Sequence, residues 1–189
     1  MGLPLPKSVT SGYRCYRAAM QIPDSYRQQI EPLIAHAREL LEKGETLAPL
    51  AFVGNLAKND VIPVVIDDRT EEAKDQSAHT IHLTATVMEA DFIFMLREAW
   101  KLPKKYMPRH EEIMAEYGSI GASPYAEDVA AFSLETTHGT WIASPFIKPK
   151  PPSKKRRTFG AVVFEHMPEI QGRFTGLLPG KKNDGGHLH

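Results

Sequence analysis

Asp75, His79 and His82 follow one another at i, i+4 and i+7, so in a helix they share a face. Imidazole nitrogen and carboxylate oxygen both suit a divalent transition ion, and three such groups on one face can converge on one metal. Glu72 and Glu89 fall on the same stripe and could assist. The chemistry this pattern points to is that of a metal-dependent hydrolase. The plainer reading is the solvated face of a helix that is otherwise buried. No second metal motif supports the first reading: His110-Glu111-Glu112-Ile113-Met114 starts like a zinc-protease helix but lacks a histidine at its fifth position.

A second group of residues offers binding in place of catalysis. Lys148, Lys150, Lys154, Lys155, Arg156 and Arg157 put six positive charges into ten residues of proline-rich chain. Such a run suits phosphates, whose counterions it displaces, or the acidic surface of a protein. Read without a partner, it is a solvated connector between strands. Phe146 and Phe159 flank it, placed either to stack on single-stranded nucleic acid or to fill strand cores. Trp100 and Trp141 are expected in the core or at its edge. Nucleophilic and nucleotide chemistry have no firm signal. There is no G-x-S-x-G and no G-x-G-x-x-G, and Gly176–Lys182 is one residue short of a phosphate loop and lacks its Ser/Thr. Cys15, with Arg14 and Arg17 near it, is the single cysteine, which excludes an intrachain disulfide and fits a reducing, cytosolic compartment.

These residues need elements to hold them. Apolar residues Ala73, Ala78, Ile81, Leu83, Thr84, Ala85, Val87 and Met88 predict a broad buried arc on a helix running from about Thr70, capped by Asp68 or Thr70. Asp91–Glu98 then reads as a strand that follows almost without a loop. Before them, a helix begins near Asp24 or Ser25, with its firm part from Ile30 because Pro32 suits a first turn. It turns Ile30, Leu33, Ile34, Ala37, Leu40 and Leu41 to one face and stops at Gly44. Leu47–Leu56 and Val61–Asp67 predict a hairpin in which Pro49 and Pro63 mark an edge strand or a bulge. A basic loop (Lys101, Lys104, Lys105, Arg109) leads to a short helix over Arg109–Tyr117. Asp128–Thr137 and Thr140–Ile147 flank His138-Gly139, a two-residue hairpin turn. Thr158–His166 predicts the last strand.

The totals bound the class. A chain of 189 residues, 42% hydrophobic and 24% charged, has the composition of one soluble globular domain. Net charge is formally zero, but residues 148–189 carry nine Lys/Arg against three Asp/Glu, +6, which leaves −6 on residues 1–147. No apolar run reaches the length of a membrane span, and no signal peptide is evident. The expectation is an α+β fold: an antiparallel or mixed sheet of about six strands with two main helices packed on it and one face to cover. Residues 1–23 form an irregular arm, 24–167 the domain, and 168–189 a Pro/Gly-rich tail, disordered unless something holds it. The expected function is that of a small cytosolic accessory protein. It binds another protein or nucleic acid through the basic connector, without a cofactor or catalysis. The alternative is a hydrolase with a divalent transition metal at Asp75, His79 and His82.

Overall fold

The computed structural model describes residues 21–153 and 155–180. The expected N-terminal arm through Met20, with Cys15, and Lys154 and the chain end from Lys181 lie outside the described residues.

Helix α1 spans Asp24–Lys43. It begins six residues before Ile30: Tyr26 and Arg27 donate to the Pro23 carbonyl, and Pro32 lies in the helix interior. Pro32 is exposed, so the Gln28 carbonyl that loses its partner lies on the side where water can serve it. Tyr26, Ile30, Ile34, Ala37 and Leu41 are buried in one row. Gly44 ends the helix in the left-handed region at φ 90°, with Gly44 N donating to Leu41 O and Glu45 N to Leu40 O. That paired closure is why glycine stands there.

Strands β1 (Leu50–Asn55) and β2 (Asp60–Val65) form the expected hairpin. Helix α2 (Glu71–Met88) follows, its first turn capped by the Thr70 hydroxyl, which accepts from Ala73 N. Strand β3 (Phe92–Lys101) comes three residues later. A 3-10 turn (Lys104–Arg109) and α3 (His110–Tyr117) lead to β4 (Glu127–Thr136) and β5 (Gly139–Ala143). The segment expected as one strand over 158–166 is two: β7 (Arg157–Phe159) pairs with β6 (Ile147–Pro149), and β8 (Glu165–His166) pairs with β5.

The six-stranded sheet has the order β2-β1-β3-β4-β5-β8, antiparallel at every pairing. This is the α+β fold, with one difference in layering. The two long helices lie on opposite faces of the sheet. Phe92, Phe94, Leu96, Phe132, Leu134 and Trp141 face α1. Ala51, Val53, Ile93 and Met95 face α2, where Ile81, Ala85 and Met88 meet them. Phe92 to Leu96 are therefore all buried, the unbroken apolar run of a strand covered on both sides. At the edge, Ile66 N donates to Pro49 O, so Val61, Pro63 and Val65 direct their outer backbone groups away from β1. Pro63 removes one donor from that open row, a protection against stray strand pairing.

The buried arc of α2 is narrower than its hydrophobic pattern predicts. Leu83 and Val87 are exposed, Val87 to 83%, whereas Ser77 is buried. The Ser77 hydroxyl accepts from Asp67 N and donates to Asp67 O, closing the turn that enters the helix. One sheet covers one side of a helix, and Leu83 and Val87 lie more than about 100° around from Ile81, on the side turned away from it.

Residues 168–180 are held. They cross the α2 face of the sheet beyond the helix, where Leu178 is buried and Phe174 and Leu177 pack against the same cluster. Glu135, 2% exposed in β4, accepts backbone N–H from Leu177 and Leu178, both at 3.2 Å. Arg173 bonds Glu71 at 2.7 Å and Asp75 at 2.6 Å on α2. This strap is the cover that the second face required.

Candidate nucleic-acid interface

The acid and histidine stripe of α2 serves the strap. Asp75 pairs with Arg173, and His82 Nδ1 lies 2.9 Å from the Leu177 carbonyl oxygen, the distance of a donated N–H. His79 is exposed. Asp91 is engaged at the β1–β2 hairpin, where its carboxylate accepts from Leu56 N. Among the described residues, no three His, Cys, Asp or Glu side chains come together as a group that could hold a metal ion. Asp75, His79 and His82 thus share a helix but do not gather at one point.

The basic connector is a β-hairpin. β6 and β7 pair Ile147 with Phe159, Lys148 with Thr158 and Pro149 with Arg157, and Lys150 N donates to Arg156 O. Arg38 and Thr158 help fasten this ribbon to α1: Arg38 donates to the carbonyls of Phe159 and Gly160, and Thr158 donates to Glu42. The Arg38 guanidinium also lies 4.6 Å over the Phe159 ring. Phe159 is buried against Phe132, so it is no platform for a base.

The six expected binding residues divide. Arg157 forks onto Glu98 at 2.6 and 2.9 Å and donates to Glu45 O; each side chain of the pair is 24% exposed. It ties the hairpin to β3. Lys150 pairs with Glu42, whose carboxyl is held below its ordinary range first by Lys150 and then by the Thr158 hydroxyl. Lys148, Lys155 and Arg156 are exposed, with no ion pair among the described residues. Lys154 lies outside those residues.

The hairpin stands at one end of the sheet beside a second basic and aromatic group. Phe146, which leads into it, bridges Val129 near the start of β4, and Ala130 N donates to Pro145 O. The start of β4 is paired with the end of β3, Trp100 opposite Asp128 and Lys101 opposite Glu127. Alternation along β3 puts Glu98 and Trp100 on the α1 face, the face on which Arg157 reaches Glu98. Trp100 is 61% exposed. A Cβ at Gly121 would stand 2.7 Å from its indole, so the bare glycine backbone supports the ring from one side. Lys101 donates to Ser144 on the neighbouring connection. Beyond Lys101 come Tyr106 and Tyr125, ring centroids 4.7 Å apart, with Lys105 over Tyr106 at 4.6 Å and Arg109 over Tyr125 at 5.5 Å. Glu112 and Tyr125 together keep the Arg109 guanidinium firmly charged.

Sequence reading found the basic loop but not its rings. Trp100 ends an apolar strand and reads as core, but it is 61% exposed among the described residues. No family model, no curated protein and no solved structure matches this chain.

Proposed function

We propose that this is a non-catalytic binding protein that receives single-stranded nucleic acid at the hairpin end of its sheet. A cytosolic setting belongs to the same reading. The observation that carries it is the juxtaposition, on one sheet end, of unpaired cations (Lys148, Lys155, Arg156) with an exposed indole and a cation-flanked tyrosine pair. Cations track a phosphate backbone and aromatic faces stack on unpaired bases; neither group alone suits a strand as both together do. Asp128, opposite Trp100, and Glu112, paired with Arg109, stand within the patch and would weaken its hold on a polyanion.

The test is binding of a labelled single-stranded oligonucleotide over a salt series. Affinity should fall with salt along a log–log slope of about −0.7 per phosphate neutralised. K148Q/K155Q/R156Q should flatten the slope by about two units. W100A should weaken binding by roughly tenfold or more at each salt concentration and leave the slope unchanged, since stacking releases no counterions. Absence of binding at low salt, or competition by an acidic protein that no oligonucleotide displaces, would overturn this reading.

A further inference from the structure

The strap does not seal the sheet face it crosses. A cavity of about 290 Å³ lies between residues 170–175 and strands β3, β4 and β5. Its depth comes from β4, where Ala131 and Ser133 point to this face while Phe132 and Leu134 fill the other. Met95, Ile142, Ile170 and Phe174 supply apolar walls. At about 30 Å³ for a water or a methylene, the space holds roughly ten such groups.

Among the described residues, two polar side chains line it without a partner. Arg97 follows Met95 on the same face of β3, and its guanidinium has no hydrogen bond or ion pair there. The Ser133 hydroxyl, from the adjoining strand, has none either. The other cation at this cavity, Arg173, is already neutralised by Glu71 and Asp75, and the Thr175 hydroxyl donates to Gly172 O. What remains is one exposed fork of N–H donors and one hydroxyl beside an apolar hollow. A guanidinium of that kind selects a planar carboxylate by two parallel hydrogen bonds.

We infer that this cavity is a binding site for a small amphipathic carboxylate, its apolar body under the strap and its carboxylate on Arg97 and Ser133. The inference is independent of the nucleic-acid surface, which uses none of these residues.

Octanoate, whose chain fills a hollow of this volume, is the probe. Titrated into the full-length protein and followed by calorimetry, it should bind saturably at one site. Octan-1-ol, with the same chain and no charge, should bind at least about tenfold more weakly, as should octanoate to R97Q. Arg97 is exposed, so that variant keeps the fold. Ser133→Leu fills the floor and should abolish binding; amide spectra of the parent with and without octanoate test the same location without a variant, through shifts at residues 131–133 and 170–175. No saturable binding by the parent would overturn the proposal. So would equal affinity for octan-1-ol, unchanged affinity in R97Q, or shifts confined to another face.

Discussion

At the scale of single residues, charge of one kind does two different things in this chain. Arg157 and Lys155 are two positions apart, yet the first forks onto Glu98 and the second is exposed. Removing one partner from a partly buried pair leaves the other uncompensated. Arg157→Ala should therefore cost about 1–3 kcal/mol in urea titration, mostly through the stranded Glu98 carboxylate and the freed Glu45 carbonyl. Lys155→Ala should leave the midpoint essentially where it is. The same contrast holds on α2. Ile81 is fully buried and Val87 is 83% exposed. Ile81→Asp puts an unpaired charge into the core and should cost several kcal/mol, a large part of the ~5–15 kcal/mol that hold a domain together. Val87→Asp should change stability by less than about 0.5 kcal/mol. Equal losses in the two variants would mean that both sides of the helix are covered in solution.

At the scale of elements, the strap and the hairpin are each held by carboxylates whose pKa is lowered, and both should loosen in acid. Glu42 is lowered mainly by Lys150, and Glu71 by Lys74 first and Arg173 second, each from an ordinary value of 4.5. A lowered folded-state pKa means that the stabilisation is fully present above that ordinary value and is lost as pH falls through the lower, folded one. Glu71 is exposed and Glu42 half-buried at the surface, where water still screens the pairs, so the loss is local and modest. Amides of residues 156–159 and 173–178 should lose hydrogen-exchange protection as pH drops from about 4.5 towards 3, before β3 and β4 lose theirs. The entry to α2 should resist longer, because Arg69 holds Asp67 down to about 2. The strap has a second anchor in Glu135, which accepts two of its N–H groups. Glu135→Ala leaves those donors unmet, and protection at Leu177 and Leu178 should fall by roughly tenfold or more at neutral pH. Unchanged protection would show that apolar burial of Leu178 holds the strap unaided.

At the scale of the whole molecule, zero net charge hides an internal division, +6 on residues 148–189 and −6 on the rest. Part of that division closes on itself, through Lys150 with Glu42, Arg157 with Glu98, and Arg173 with Glu71 and Asp75. The basic segments thus fasten the hairpin and the strap onto an acidic sheet-and-helix body. Raised salt should screen the exposed pairs among them over about 8–10 Å and speed exchange of the strap and hairpin, while the sheet core keeps its protection. No helix among the described residues is long and apolar enough to cross a membrane.

Local periodicity carries the information that the sequence yields without help. The 3–4 spacing of Ile30, Ile34, Ala37 and Leu41, the Gly44 stop, the Thr70 cap and the run from Phe92 to Leu96 each depend on near neighbours, and each is legible there. The β4–β5 hairpin is legible too, but it turns at Thr137-His138, one residue before the expected His138-Gly139, because Gly139 pairs with Thr136. From them follow the α+β class and the hairpins. What periodicity does not contain is which face of the sheet a helix takes. The two helices fall on opposite faces, and this leaves half of the second face bare. Among the described residues the strap, a segment with no period at all, packs on it. The metal-like stripe, the six basic residues and the outward Trp100 were all visible as types. Whether each was paired depended on Arg173, Glu42, Glu98 and Gly121, which lie far from them in the chain or belong to segments without pattern. Charge pairing over long sequence separations is decided by the packing of the sheet, because a side chain's partner is whatever the fold brings within about 4 Å.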